Sequence, residues 1–338
     1  MTTPPSPRRH LTTADLAPLA RAAAGGHRTL SAATRLTGGT SKGVYRLVHD
    51  DGSTAIAYVW SPQEDYWARP DTTDRPEPAA GLALFRSAHR RLTALGVRVP
   101  RILFLDADGT HLPARAAVVE DVGGPTLETA LRDDPDRARP ALERLARMLE
   151  AMRARTAPGH GGVISVEEGG PAPDGVACAR AVADRALADI DEVAARDPRA
   201  RRARDRLRDR IRELHGAFRP RPTSSLIHGE LGPDHVLLAA DGEPVLIDIE
   251  DLGYCDAERE HAFLELRFGP WYDVLRAPGL DPDRLALHRL ALHLSLVAGP
   301  LRLLDGDFPD PAPLREIAEF NLLRALDLTR GAGAGPQG

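Results

Sequence analysis

Apolar positions along the chain follow two patterns that change about a third of the way in. In the first part they form short runs bounded by glycine and polar turns: Thr34–Leu36, Val44–Val48, Ala55–Trp60, Val99–Leu105 and Ala116–Val122. Such runs read as strands. Asp50-Asp51-Gly52, between the second and third, is a hairpin turn signal. Leu82, Phe85, His89 and Leu92 share one face of a helix predicted over residues 81–95, and a short helix is predicted near Asp15–Ala24. Beyond residue 123 the spacing becomes helical, as in Leu142, Leu145, Leu149 and Met152, and again in Leu207, Ile211, Leu214 and Phe218. Residues 61–78 and the Gly/Pro-rich residues 158–175, with Glu167 and Glu168, read as loops. Two strand-like runs interrupt the helical part, Val236–Leu238 and Val245–Ile247, with the turn signal Asp241-Gly242 between them. Helices then resume from about residue 258 to about 330. A β-rich first third followed by an α-rich remainder predicts an α+β fold in two lobes. The division is an N-terminal extension (1–28, its first ten residues disordered), a small β-rich N-lobe (29–122), a larger helical C-lobe (123–330) and a Gly/Ala tail (331–338).

Composition narrows the classes. The chain has 338 residues, 42% of them hydrophobic and 28% charged, enough to bury a core without disulfides or structural metal. A net charge of −5 argues against a nucleic-acid binder. The longest late apolar stretch, Leu290–Leu301, is too short to span a bilayer and contains His293. Arg8-Arg9 superficially matches a twin-arginine signal, but no apolar segment comes after it, since Asp15 and Arg21 interrupt the run, so the reading is cytoplasmic. Cys178 and Cys255 are expected to be buried free thiols. Of 44 basic residues only Lys42 is a lysine. The arginine bias is what a GC-rich genome produces, yet a compact ammonium is not interchangeable with a guanidinium.

The chemistry concentrates in His228-Gly229-Glu230-Leu231-Gly232-Pro233-Asp234-His235, which precedes the hairpin ending in Asp248-Ile249-Glu250-Asp251. Nine carboxylates and no Lys or Arg lie between Arg221 and Arg259. Converging carboxylates call for a cation, and oxygen ligands suit Mg²⁺ or Mn²⁺. A divalent ion, a carboxylate base and a glycine-rich loop together suggest phosphoryl transfer.

With these residues the chain resembles the aminoglycoside phosphotransferase family, of protein-kinase-like fold, from about residue 34 to residue 268. His228 and Gly229 match the family's histidine and glycine. Glu230 stands at the catalytic aspartate and His235 at the metal-binding asparagine. Asp248 stands at the metal-binding aspartate, and Asp256-Ala257-Glu258-Arg259-Glu260 is similar to the later acidic turn. Gly38-Gly39-Thr40-Ser41-Lys42-Gly43 resembles the loop covering the phosphates, and Val118-Val119-Glu120-Asp121-Val122 the hinge that meets adenine. The resemblance implies ATP and Mg²⁺ (or Mn²⁺) as cofactors and a small-molecule hydroxyl as acceptor. Glu230 and Asp248 would be catalytic, and His235 and Asp248 would hold the metal. Gly39, Ser41, Lys42, Gly43, Glu120 and Val122 would bind nucleotide. His228 would hold the loop by a backbone hydrogen bond, and Glu260 with His261 would anchor a helix to it. Acceptor contacts are expected in residues 158–175 and 264–276. No feature sets an oligomeric state.

Three positions depart from the family pattern. Glu230 lengthens the catalytic carboxylate by a methylene, and a displacement of about 1 Å can cost about 10²-fold. His235 brings a nitrogen, better suited to Mn²⁺ or Zn²⁺ than to Mg²⁺, and its other readings are a phosphate contact or a structural residue. Tyr58 is nearest the position of the missing strand lysine, and residues 81–95 contain no acid to pair with one. Losing both partners avoids a stranded charge, and Lys42 is then expected to reach the phosphates from the loop. Glu250 and Asp251 either support a metal ligand or lie at the surface, the reading preferred for Asp251. Tyr66, Trp67 and Trp271 are read as core. Four readings result: a kinase of a small, possibly amino-sugar-like alcohol, a kinase of peptide Ser or Thr in natural-product tailoring, a nucleotide-binding pseudokinase, and a zinc or manganese hydrolase using His228, Asp234, His235, Asp248 and His261.

Overall fold

In the computed structural model, residues 8–37, 39–67, 78–167, 175–219 and 221–329 are described. Gly38, Glu168, residues 1–7 and the 331–338 tail lie outside them.

Helix α1 (Thr13–Ala23) opens the chain, started by a capping box between Thr12 and Asp15. Strands β1 (Leu30–Arg35), β2 (Gly43–His49) and β3 (Thr54–Trp60) come next, then helix α2 (Pro78–Ala94) and strands β4 (Ile102–Asp106) and β5 (Arg115–Glu120). The strands form one antiparallel sheet in the order β1-β2-β3-β5-β4. Both faces are covered. Leu16, Leu19 and Ala20 of α1 pack with Tyr45, Leu47, Ala57 and Val59 on one side. Leu82, Phe85 and Leu92 of α2 pack with Ile56, Tyr58 and Trp60 on the other. This is why β3 reads as an unbroken apolar run rather than an alternation. Gly81 lets α2 sit down on the sheet, since a Cβ there would lie 2.2 Å from Trp60 Cδ1.

The C-lobe begins with α3 (Leu127–Asp133) and α4 (Pro135–Ala154), then the short strands β6 (Thr156–Ala157) and β7 (Gly161–Gly162). Helices α5 (Val163–Glu167), α6 (Gly175–Arg196) and α7 (Pro198–Gly216) lead to β8 (Ser224–Ile227), β9 (Val236–Leu238), β10 (Pro244–Leu246) and β11 (Gly253–Cys255). The chain ends in α8 (Ala257–Phe268), α9 (Tyr272–Leu275), α10 (Pro282–Leu304) and α11 (Pro311–Leu328). Strands β9 and β10 form the expected hairpin, and β6-β8-β11-β7 form a small sheet behind it. Helices α6, α7, α10 and α11 build a separate core from residues such as Ile190, Leu207, Ile211, Leu294 and Leu322. The main core crosses the lobe boundary, with Tyr58 and Phe85 joining Leu142, Leu246, Ile249 and Leu264. The Leu246 amide also donates to the Arg98 carbonyl at 2.9 Å. Among the described residues, no helix is long and apolar enough to cross a membrane.

Four local expectations change. The strand predicted to Val122 ends at Glu120, where the chain leaves the sheet as hinge. The 158–175 loop contains β7 and α5, whose Glu167 carboxylate meets Arg91 and Tyr254. Within the predicted 61–78 loop, Glu64, Asp65 and Tyr66 are buried. Residues 8–10, expected to be disordered, begin with an anchored side chain. Arg8 pairs with Asp307 at 2.7 Å, donates to the Pro62, Gln63 and Asp65 carbonyls, and lies over the Tyr66 ring.

Candidate active site

The N-lobe contribution is the turn joining β1 to β2. Gly39 makes it tight, because a Cβ there would sit 2.6 Å from the Lys42 carbonyl oxygen. The segment after β3 braces it: the Tyr66 amide donates to the Thr40 carbonyl at 2.8 Å, and Trp67 Nε1 to Thr40 Oγ1 at 3.0 Å. Gly43 packs against Glu64, whose carboxylate holds Arg35 and the Tyr45 hydroxyl. Side chains alternate along a strand. Lys42 therefore leaves on the same face as Val44, which is paired with Tyr58 of β3. The Lys42 ammonium lies 5.4 Å from the centre of the Tyr58 ring, at the strand position expected to hold a lysine. Ser41, next to it, is exposed.

The C-lobe contribution is the turn after β8 together with the β9–β10 hairpin. Gly229 sits at φ +100°, and a Cβ there would come within 3.0 Å of the Asp251 carbonyl oxygen. Its amide donates to Glu260 Oε2 at 3.0 Å. His228 is fully buried and its Nε2–H donates to the Ile247 carbonyl at 3.1 Å. Burial, with His235 nearby, lowers its pKa to about 4, so it is neutral at pH 7. His235 Nδ1 lies 2.9 Å from the Glu230 carbonyl oxygen and must donate to it, since a carbonyl only accepts. In neutral His235 the lone pair is therefore on Nε2, which faces Asp234 Oδ2 and Asp248 Oδ2, each at 3.8 Å. Asp234 is held by Arg267 at 2.8 Å. Glu230, in this turn, is exposed.

An ionic cluster joins the turn before β2 to the end of the hairpin. Lys42 Nζ donates to Asp248 Oδ1 at 2.5 Å and lies 2.7 Å from Glu250 Oε1. Burial opposes the lysine's charge, but Asp248 and Glu250 outweigh it, and its pKa is raised. The Lys42 charge holds the Asp248 carboxyl well below the usual range. Glu250 moves the other way, raised by burial, with Asp248 adding repulsion. Both Glu250 oxygens lack a hydrogen bond of good geometry. Asp248, at φ +58°, is the only non-glycine residue with positive φ among those described. Such a conformation costs on the order of 1 kcal/mol. Its side chain keeps 43% exposure while that of Lys42 keeps 7%, so the aspartate opens to the cleft and the lysine fills it from beneath.

Glu120 ends β5 and binds Arg101 Nε at 2.6 Å. Val122 lies just beyond it in the half-buried hinge. The turn after β11 is structural: Asp256 binds Arg284 at 2.7 Å and His288 at 3.3 Å, Glu258 binds Arg221 at 2.8 Å, and Glu260 carries Gly229. His261 does not share the loop contact assigned to it with Glu260; its ring meets the Tyr272 hydroxyl instead. Glu250 is not a surface charge, whereas Asp251 is exposed.

Asp248 would hold a divalent ion completed by phosphate oxygens and water, the usual way Mg²⁺ is held, and a nitrogen from His235 would shift the preference toward Mn²⁺. A hydrolytic zinc site needs three protein ligands, and no group of three or more ligating side chains is placed for a metal among the described residues.

A sequence model described as the phosphotransferase enzyme family (APH) matches residues 32–296. The chain belongs to that family. This phosphotransferase therefore moves a phosphoryl group onto an acceptor hydroxyl. Solved structures share the fold. A thermostable variant of aminoglycoside phosphotransferase APH(4)-Ia, in ternary complex with ADP and hygromycin B, has a TM-score of 0.62 at 16% identity over 95% of this chain and 99% of that one. The GDP and kanamycin complex of APH(2")-IIia has a TM-score of 0.60 at 17% identity, over 90% and 95% of the two chains. A putative fructosamine-3-kinase from Thermobifida fusca YX-ER1 has a TM-score of 0.54 at 23% identity, over 94% and 98%. No curated protein matches the phosphotransferase in sequence.

Proposed function

We propose that the protein transfers the γ-phosphoryl group of ATP to a hydroxyl of a small, amine-bearing molecule. The observation that carries this reading is the Lys42–Asp248 contact of 2.5 Å, which joins the glycine loop to the hairpin at one point in the cleft. Lys42 takes the part of the absent strand lysine, with the loop amides of Gly39, Ser41 and Gly43 beside it to meet phosphate oxygens. The hinge after Glu120, at Val122, meets the base. Asp248 and His235 would hold the divalent ion, which supplies charge neutralisation between phosphate oxygens. Glu230, exposed at the cleft, orients the acceptor hydroxyl and takes its proton as the new oxygen–phosphorus bond forms and the bond to the ADP oxygen breaks. The preference for an amine rests on the carboxylates exposed around Glu230 and Asp248. It also rests on the aminoglycosides named in the related structures, hygromycin B and kanamycin.

The test is ADP formation with Mg²⁺ and with Mn²⁺ across a panel of amino alcohols and amino sugars, alongside neutral alcohols and Ser/Thr peptides. Turnover confined to amine-bearing acceptors supports the proposal. One observation favours a second reading, nucleotide binding without transfer: Lys42 already occupies one oxygen of the metal-binding carboxylate. Stabilisation by ATP with no ADP formed on any acceptor would establish that alternative and overturn the first.

A further inference from the structure

Behind the catalytic turn lies a cavity of about 200 Å³ between α4, β8, α8 and the residues after α9. It is separate from the Lys42–Asp248 cleft. Its floor holds Glu260 and His261, both buried. Its wall and mouth carry Arg147, Arg153 and Arg276, with one further carboxylate, Glu150, between the first two on α4. Most arginines of this chain are tied to a carboxylate, but among the described residues these three make no ion pair and no side-chain hydrogen bond. Arg153 Nε is buried without a partner. A second atom is poorly provided for: Glu260 Oε1 is buried with no hydrogen bond of good geometry, while Oε2 of the same carboxylate accepts the Gly229 amide. Glu260 is 5% exposed, so water outside the cavity does not serve that oxygen.

Unpaired guanidiniums at a mouth recognise an oxyanion, and three of them match a phosphate dianion better than a single carboxylate. A buried carboxylate oxygen on the floor asks for a hydroxyl or amine donor. We propose that this cavity binds a small polyol phosphate monoester, its phosphate on Arg147, Arg153 and Arg276 and a hydroxyl on Glu260 Oε1. Glu260 also carries the amide that precedes Glu230, so occupancy fixes the carboxylate that holds the catalytic turn. The site is independent of the phosphoryl-transfer reading, since it is defined by binding alone.

Glycerol 3-phosphate is the probe, with inorganic phosphate, glycerol and succinate as comparators, on the full chain at low ionic strength. Binding is measured by titration calorimetry and thermal shift. The expected order is glycerol 3-phosphate, then inorganic phosphate, with glycerol and succinate weak. Arg276→Gln, at an exposed position, should weaken glycerol 3-phosphate at least about tenfold, as expected for loss of one charge-assisted contact, and Arg153→Gln should do the same. Lys42→Met should leave it unchanged. Hydrogen exchange at the Gly229 amide should slow on binding. Equal binding by wild type and both arginine variants overturns the site, and loss of binding in Lys42→Met alone overturns it by placing the anion in the interlobe cleft. Binding with no change at Gly229 overturns its link to the turn. Succinate binding as well as the phosphates overturns the ligand class.

Discussion

Two groups of acids stand close together in sequence and do opposite work. In the turn after β11, Asp256 and Glu258 each have dedicated cationic partners, Arg284 with His288 and Arg221. At the hairpin end, Asp248 and Glu250 share one lysine supplied by the other lobe. The first group is neutralised locally and fixes backbone. The second keeps surplus negative charge, a strained φ at Asp248 and hydrogen-bonding capacity at Glu250 that the protein does not fill. Carboxylates left in that state are suited to a cation from solution. Full provision marks support, and deliberate shortage marks chemistry.

Four substitutions break or sharpen that contrast. Asp248→Asn should have the largest effect, a fall in kcat of about 10³-fold with little loss of stability, because asparagine tolerates the left-handed conformation. Stopped assays with thermal melts check both parts. Lys42→Arg comes next, with a loss of about 10²-fold, since a planar guanidinium cannot take the place of a compact ammonium wedged between Asp248, Glu250 and Tyr58. Steady-state kinetics should show activity not rescued despite the kept charge.

Arg284→Met belongs to the other group. It removes the nearest cation from buried Asp256, leaving His288 and the more distant Arg221, and should cost about 3 kcal/mol of stability. The nucleotide KM should not change at temperatures where the variant is folded. Denaturant unfolding with parallel kinetics measures the split. The smallest effect is in pH dependence. Burial raises the Glu260 pKa to about 7 from an ordinary 4.5. Between those values the folded state keeps a proton that the unfolded state releases, so wild-type stability falls as pH rises from 4.5 to 7. Glu260→Gln should keep an acceptor for Gly229 and remove that slope, read from melts across the interval. Buried His228, depressed from 6.5 to about 4, contributes the opposite slope in both proteins and cancels from the difference.

The hairpin was legible because its signals are local: Gly229 at positive φ, Pro233 in the turn and Asp241-Gly242 at the tip all announce themselves within a few residues. The two-lobed α+β fold was legible from the change of apolar period. Glu250 was not, because its partner is Lys42, some 200 residues away. Glu64 is not legible for the same reason, its partners being Tyr45 and Arg35 on strands earlier in the chain. Helix α5 has five residues, too few to show a period. Arg147, Arg153 and Arg276 look like ordinary solvated charges in sequence, and only the packing of α4 against α9 makes them neighbours.

A chain with one lysine contains its own probe of cleft opening. Acylating reagents that attack uncharged amines have a single side-chain target here, 7% exposed and held in its cationic form by two carboxylates. Each acylation at residue 42 therefore records a moment when the lobes parted, and the labelling rate reads their separation without any engineered tag.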